Sequence, residues 1–198
     1  MNKHLNIFLS ILIALTCSSC AEYFGGTPGM NPWHAEQLQQ AGQMHSIEDF
    51  GRDIEPTLIQ VRNELINENN FELRHGEDGI SSQPTGDQTL YILNSPTIYF
   101  LEDNVDKVRT AFESHLIPLG FNVTVDEQMT DNEGKLTWII ARNPTYGISA
   151  SAYIRDSKRS SFDYGTELLS SDGSTDDPQQ LADIPGRRPD WLIPTPTT

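Results

Sequence analysis

The chain has 198 residues, room for one domain with some length to spare. Both cysteines, Cys17 and Cys20, fall in the first twenty residues, so no disulfide is available to the body and core packing alone must hold it. The formal net charge of -15, near -16 once Lys3 is lost with a leader, repels nucleic acid and anionic headgroups. Such a charge suits solubility and leaves room for an acidic face that docks a cationic partner.

The amino terminus carries a weakly basic start at Lys3, then an apolar run from Leu5 to Leu15 broken only by Asn6 and Ser10. That length matches the apolar part of a secretory signal and falls well short of the roughly 20 residues a spanning helix needs. Ser18-Ser19-Cys20 follows, with small residues ahead of a cysteine whose thiol accepts a diacylglyceryl group. The expectation is a leader over 1–19 and lipidation of Cys20, with several acyl tails anchoring the protein on the extracytoplasmic side of the cell membrane. Cys17 stands where a lipobox usually has Leu, and two other routes stay open: lipidation of Cys17, or cleavage after Ala21 with release of a soluble protein. Residues 20–45, with Gly25-Gly26-Thr27-Pro28-Gly29 and Asn31-Pro32, read as a tether in which Trp33 either packs on the domain or rests at the membrane interface.

From Ser46 the pattern becomes regular, and residues 46–170 form the predicted domain. Ser46 and Asp49 make a capping-box-like start, and Ile47, Phe50, Ile54, Leu58, Val61 and Leu65 give one helical stripe over about 47–68. Pro56 inside it predicts a kink or break, while Glu48, Asp53, Glu55, Arg62, Glu64 and Glu68 read as a solvated face. Residues 75–89 are polar and predict a long loop. Leu90–Leu93 and Thr97–Leu101 predict short strands about an Asn94-Ser95-Pro96 turn. A second helix, capped by Asn104 or Asp103, buries Val105, Val108, Phe112, Leu116 and Leu119 and closes at Pro118-Gly120. Four strands follow, around Phe121–Val125, Leu136–Arg142, Ile148–Ile154 and Phe162–Leu169. The alanines of the third would let a helix sit close. The predicted fold class is α+β, a two-layer sandwich with an antiparallel sheet and two helices on one face. Residues 171–198 hold 5 of the 12 prolines and several aspartates, and predict a disordered tail in which Trp191-Leu192-Ile193 docks back on the domain or on a partner.

The strings Asn31-Pro32, Ser46-Ile47-Glu48-Asp49, Tyr99-Phe100-Leu101, the helix to Leu116 and Tyr164-Gly165-Thr166 resemble the small actinobacterial lipoproteins similar to mycobacterial LppA, over roughly residues 20–170. The resemblance implies a lipoprotein without an established activity and supplies no catalytic residue. Members tend to carry two cysteines where this chain reads Ser81-Ser82-Gln83 and Gly165-Thr166-Glu167, so any disulfide between those places is missing here.

Chemistry-bearing groups are sparse. His34, His45, His75 and His115 lack ligand spacing, and His34-Ala35-Glu36 lacks the Pro-Cys-x-x-Cys of zinc deaminases, so no metal or other cofactor is expected. Gly147-Ile148-Ser149-Ala150-Ser151 starts like a nucleophile elbow but ends in Ser within an alternating strand. Asp126, Glu127, Asp131 and Glu133, and separately Asp172, Asp176 and Asp177, read as solvated turns rather than calcium loops. Arg155, Lys158 and Arg159 form the one compact basic group, a docking spot for phosphate or an anionic polymer or else ordinary turn chemistry. No catalytic residue is assigned. The function expected is a non-catalytic, membrane-anchored binding module whose partner is an envelope protein or another envelope component, and not nucleic acid. The alternatives are an accessory subunit of an envelope transporter or enzyme, and a hydrolase with a site built from scattered residues.

Overall fold

The structure, a computed structural model, describes residues 32–76, 78–130, 134–155, 159–183 and 187–192. Cys17, Cys20, Lys158 and the turn at 131–133 lie outside the described residues. The first element is helix α1, Pro32–Ala41, which corrects the tether reading for residues 32–45. Proline suits a first helical position, the residues after it are mostly good helix formers, and Gly42 follows the end. Ala41 is buried, and the His45 amide donates to the Thr145 carbonyl at 3.0 Å, so the segment joins the domain. Trp33 stays 56 % exposed, with its ring 5.5 Å from that of His34.

Ser46 caps helix α2, Ile47–Asp49, by accepting from the Asp49 amide at 3.0 Å. A π-helical turn, Phe50–Ile54, then leads into helix α3, Glu55–Leu65. The break predicted at Pro56 takes this form because proline has no N–H for the Arg52 carbonyl. The Glu55 amide instead reaches back to Phe50. All six residues of the predicted apolar stripe are buried. The polar face departs from expectation: Glu48, Glu55 and Arg62 are buried as well. Helix α4, Val105–Leu116, is capped by Asn104, which accepts from the Lys107 amide at 3.0 Å, and closes through a 3-10 turn, Ile117–Leu119, at left-handed Gly120.

Among the described residues eight strands make one antiparallel sheet: β1 Phe71–His75, β2 Gly79–Thr85, β3 Gln88–Asn94, β4 Thr97–Leu101, β5 Asn122–Thr130, β6 Gly134–Asn143, β7 Ile148–Arg155 and β8 Arg159–Thr166. The order is β1-β4-β8-β7-β6-β5, with the β2–β3 hairpin joined to β8 through Asn94 and Gly165. The molecule is therefore α+β. The loop predicted over 75–89 is instead the end of β1, all of β2 and a tight turn at Gly86-Asp87. Its polar sequence and Pro84 hide a strand, but β2 pairs only with β3, an edge position where a missing N–H is tolerated. One row of side chains across the sheet, Ile98, Phe162, Ala152 and Ile139, belongs to the same buried apolar cluster as Leu58, Val108 and Phe112. The Phe112 and Phe162 rings meet edge to face at 5.9 Å.

The tail over 171–183 and 187–192 is structured, which corrects the expectation of disorder. Leu169 bridges to Tyr91, and Ser171 donates to the Glu48 carboxylate at 2.5 Å. Two 3-10 turns, Pro178–Asp183 and Asp190–Leu192, follow. Leu192 ends in the core and the Trp191 ring lies 5.5 Å from Phe71. The polar residues of the helical face are buried because this strap covers them. Just before helix α4, burial works to raise the Glu102 carboxyl, but the Lys107 ammonium at 2.5 Å and the amides of Asn104 and Asp103 prevail and hold it below its ordinary value. A carboxyl lowered on folding contributes stability above the ordinary glutamate range, and that contribution is lost as pH falls through the native value. The stability gap between wild type and Glu102→Gln is therefore expected to be open at pH 7 and to close towards pH 3, as read by urea unfolding at both values.

Candidate functional site

Strand alternation sets a second row of side chains on the sheet face opposite Ile98, Phe162, Ala152 and Ile139. In register across β1, β4, β8, β7 and β6 it runs Leu73, Tyr99, Ser161, Tyr153, Trp138. Two residues along one strand direction lie Thr97, Asp163 and Ser151; two along the other lie Leu101, Arg159 and Arg155. The face thus has hydroxyls and a carboxylate at one end, aromatics in the middle and guanidiniums at the other. A groove of about 570 Å³ is lined from these rows by Leu73, Thr97, Tyr99, Tyr153, Ser161, Asp163, Arg155 and Arg159, together with His75. That volume lies in the range of small-molecule sites.

The groove side chains are held by one another. Asp163 accepts from the Ser151 hydroxyl at 2.5 Å and from the Thr97 hydroxyl at 3.3 Å. The Arg159 guanidinium lies over the Tyr99 ring, 5.0 Å from its centroid, and its Nε pairs with Glu72 at 3.0 Å. Tyr153 packs edge to face on Trp138 at 5.0 Å. Among the described residues no hydrogen bond joins His75 to Ser151, Ser161 or Asp163, so the nucleophile-to-base contact of acyl transfer is not formed there. Of the predicted basic group, Arg155 and Arg159 both reach the groove, from the ends of β7 and β8. The aromatic and hydroxyl partners escaped sequence reading, although the Ser149, Ser151, Tyr153 alternation already marked one strand that carries them.

The other candidate residues are scattered. His45 pairs with Asp49 at 3.1 Å and stacks on Tyr146, and His115 pairs with Glu64 at 2.7 Å across helices α4 and α3. Among the described residues no three of His, Cys, Asp and Glu converge as a metal site would require. Ser149 is exposed on β7, as the strand reading expects.

A second polar constellation is buried on the core side. Glu55, wholly buried, receives Arg187 Nε at 2.7 Å and Nη2 at 2.5 Å, and the Tyr164 hydroxyl donates to it at 2.9 Å. Arg62 Nη1 donates to the Arg187 carbonyl at 2.5 Å. Burial pushes the Glu55 carboxyl up against the pull of Arg187 and Tyr164, and it lifts the Tyr164 phenol well above its ordinary value. This group ties the strap to helix α3 and takes no part in the groove.

Comparison with known proteins agrees with the topology. No curated protein matches the chain. The crystal structure of a DUF4853 family protein from Actinomyces odontolyticus is similar in fold, with a TM-score of 0.51 and 16 % identity over 71 % of this chain and 82 % of that one. The profile of a domain of unknown function, DUF4853, matches residues 43–177, from the segment before α2 to the strap, and the chain belongs to that family.

Proposed function

We propose that the protein is a lipid-anchored, extracytoplasmic binding module of the cell envelope, and that the second sheet face is its ligand surface. The groove carries this reading: aromatic and basic side chains, braced by mutual contacts, line about 570 Å³ of space. Preformed concave sites with a few fixed polar groups are what binding modules offer. The Ser18-Ser19-Cys20 string after an apolar leader supports the anchor, and the resemblance to the LppA-like lipoproteins is in keeping with the same placement. The accompanying fold reading is a two-layer sandwich in which α3 and α4 cover one sheet face. It is supported by the shared apolar cluster and by the Phe112–Phe162 contact.

Two measurements on the full chain test this. Cys20→Ser is expected to move the protein from the membrane to the soluble fraction; equal distribution of wild type and variant would refute anchoring. A photo-crosslinking residue at Leu73 in the groove is expected to capture a discrete envelope component in cells. The same group at exposed Ile117 should not. Identical products from both positions would sink the groove as the ligand surface.

A further inference from the structure

The groove arranges three chemistries in a fixed order along the strands. Asp163, with the Ser151 and Thr97 hydroxyls bonded to it, stands at one end; Tyr99 and Tyr153 present half-buried rings in the middle; Arg155 and Arg159 stand at the other. Four residues of strand separate the two ends, about 13 Å. That span exceeds a single sugar ring.

We infer that the groove binds a glycan segment bearing one isolated acidic sugar, an inference that rests on the face being the ligand surface. Ring faces stack on Tyr99 and Tyr153. A carboxylate or phosphate on one ring meets the guanidinium end, where planar N–H forks suit either anion. Arg159 keeps its Glu72 pair through Nε, which holds the guanidinium in place beside Tyr99. Sugar hydroxyls at the far end donate to Asp163, which already accepts from hydroxyls. The overall charge decides between one anionic group and many: at -15 the chain repels a polyanion, so only a locally basic pocket facing a sparsely charged ligand gains from Coulomb attraction.

Calorimetric titration of the detergent-solubilised full chain tests this with three oligosaccharides of equal length: neutral, ending in a hexuronic acid, and ending in a sugar phosphate. At least one acidic probe is expected to bind about tenfold more tightly than the neutral one, and the two acidic arms tell carboxylate from phosphate. Arg159→Gln should erase the preference for the acidic probe, and Tyr153→Ala should weaken binding of neutral and acidic probes alike. Equal binding of neutral and acidic probes by the wild type overturns the inference, as does tighter binding of a single-stranded oligonucleotide. Neither comparison depends on a variant folding. If no sugar binds while the Leu73 crosslink still captures an envelope component, the ligand class is wrong and the groove reading stands; if both fail, both fall.

Discussion

Arg187→Met is expected to lower folding stability by about 3–5 kcal/mol, and Glu55→Met by a similar amount. Both side chains are buried, so removing either leaves the other charge without water and without its counter-charge. Burial already outweighs the pull of Arg187 on the Glu55 carboxyl, which marks how costly ionisation is at this position. The double variant should lose about 1–3 kcal/mol less than the sum of the singles, because it removes both charges together. Adding Tyr164→Phe should recover further stability, since the Tyr164 hydroxyl donates to Glu55 and would otherwise be stranded. Urea unfolding of the four variants against wild type is the measurement. Single variants that each cost under about 1 kcal/mol would mean that the pair behaves as a solvated surface bridge and that the strap is not clasped there.

Leu192→Ala should cost about 2–5 kcal/mol, the range for emptying a well-packed aliphatic site. Leu192 is 1 % exposed and belongs to the same cluster as the helix and strand residues of the core. Its neighbour Trp191 covers Phe71 on edge strand β1, so Trp191→Ala should also destabilise and should loosen β1 first. Amide exchange resolved along the chain would show that loss as faster exchange at Phe71–His75 before any change in the central strands. A carboxy-terminal segment that merely trailed in solvent would tolerate both substitutions without a measurable shift, and that result would contradict the docked strap.

Much of the fold was legible before any coordinates. The apolar stripe from Ile47 to Leu65, the Asn104-capped helix and the strands around Leu136–Arg142 and Ile148–Ile154 follow from local periodicity, because each buries one face and so repeats at the period of its own backbone. Strand β2 was hidden, since Gly79–Thr85 carries little hydrophobic pattern and owes its place to pairing with β3. Only the basic end of the candidate site could be seen: Arg155 and Arg159 are close in sequence, whereas Leu73, Tyr99 and Asp163 reach them only through strand register.

The α+β character, the Ser46 and Asn104 helix caps, the lack of a disulfide in the body and the presence of a basic cluster on a strongly acidic chain are all set by the residues alone. Tertiary structure alone decided that Glu48, Glu55 and Arg62 are buried and that the proline-rich end is a strap. A helix face looks solvated when read from its own residues, and it becomes interior only when a segment over a hundred residues away supplies the matching charge and covers it. Local periodicity carries no information about such a partner, because burial of a charge is settled by its counter-charge and not by its neighbours in the chain.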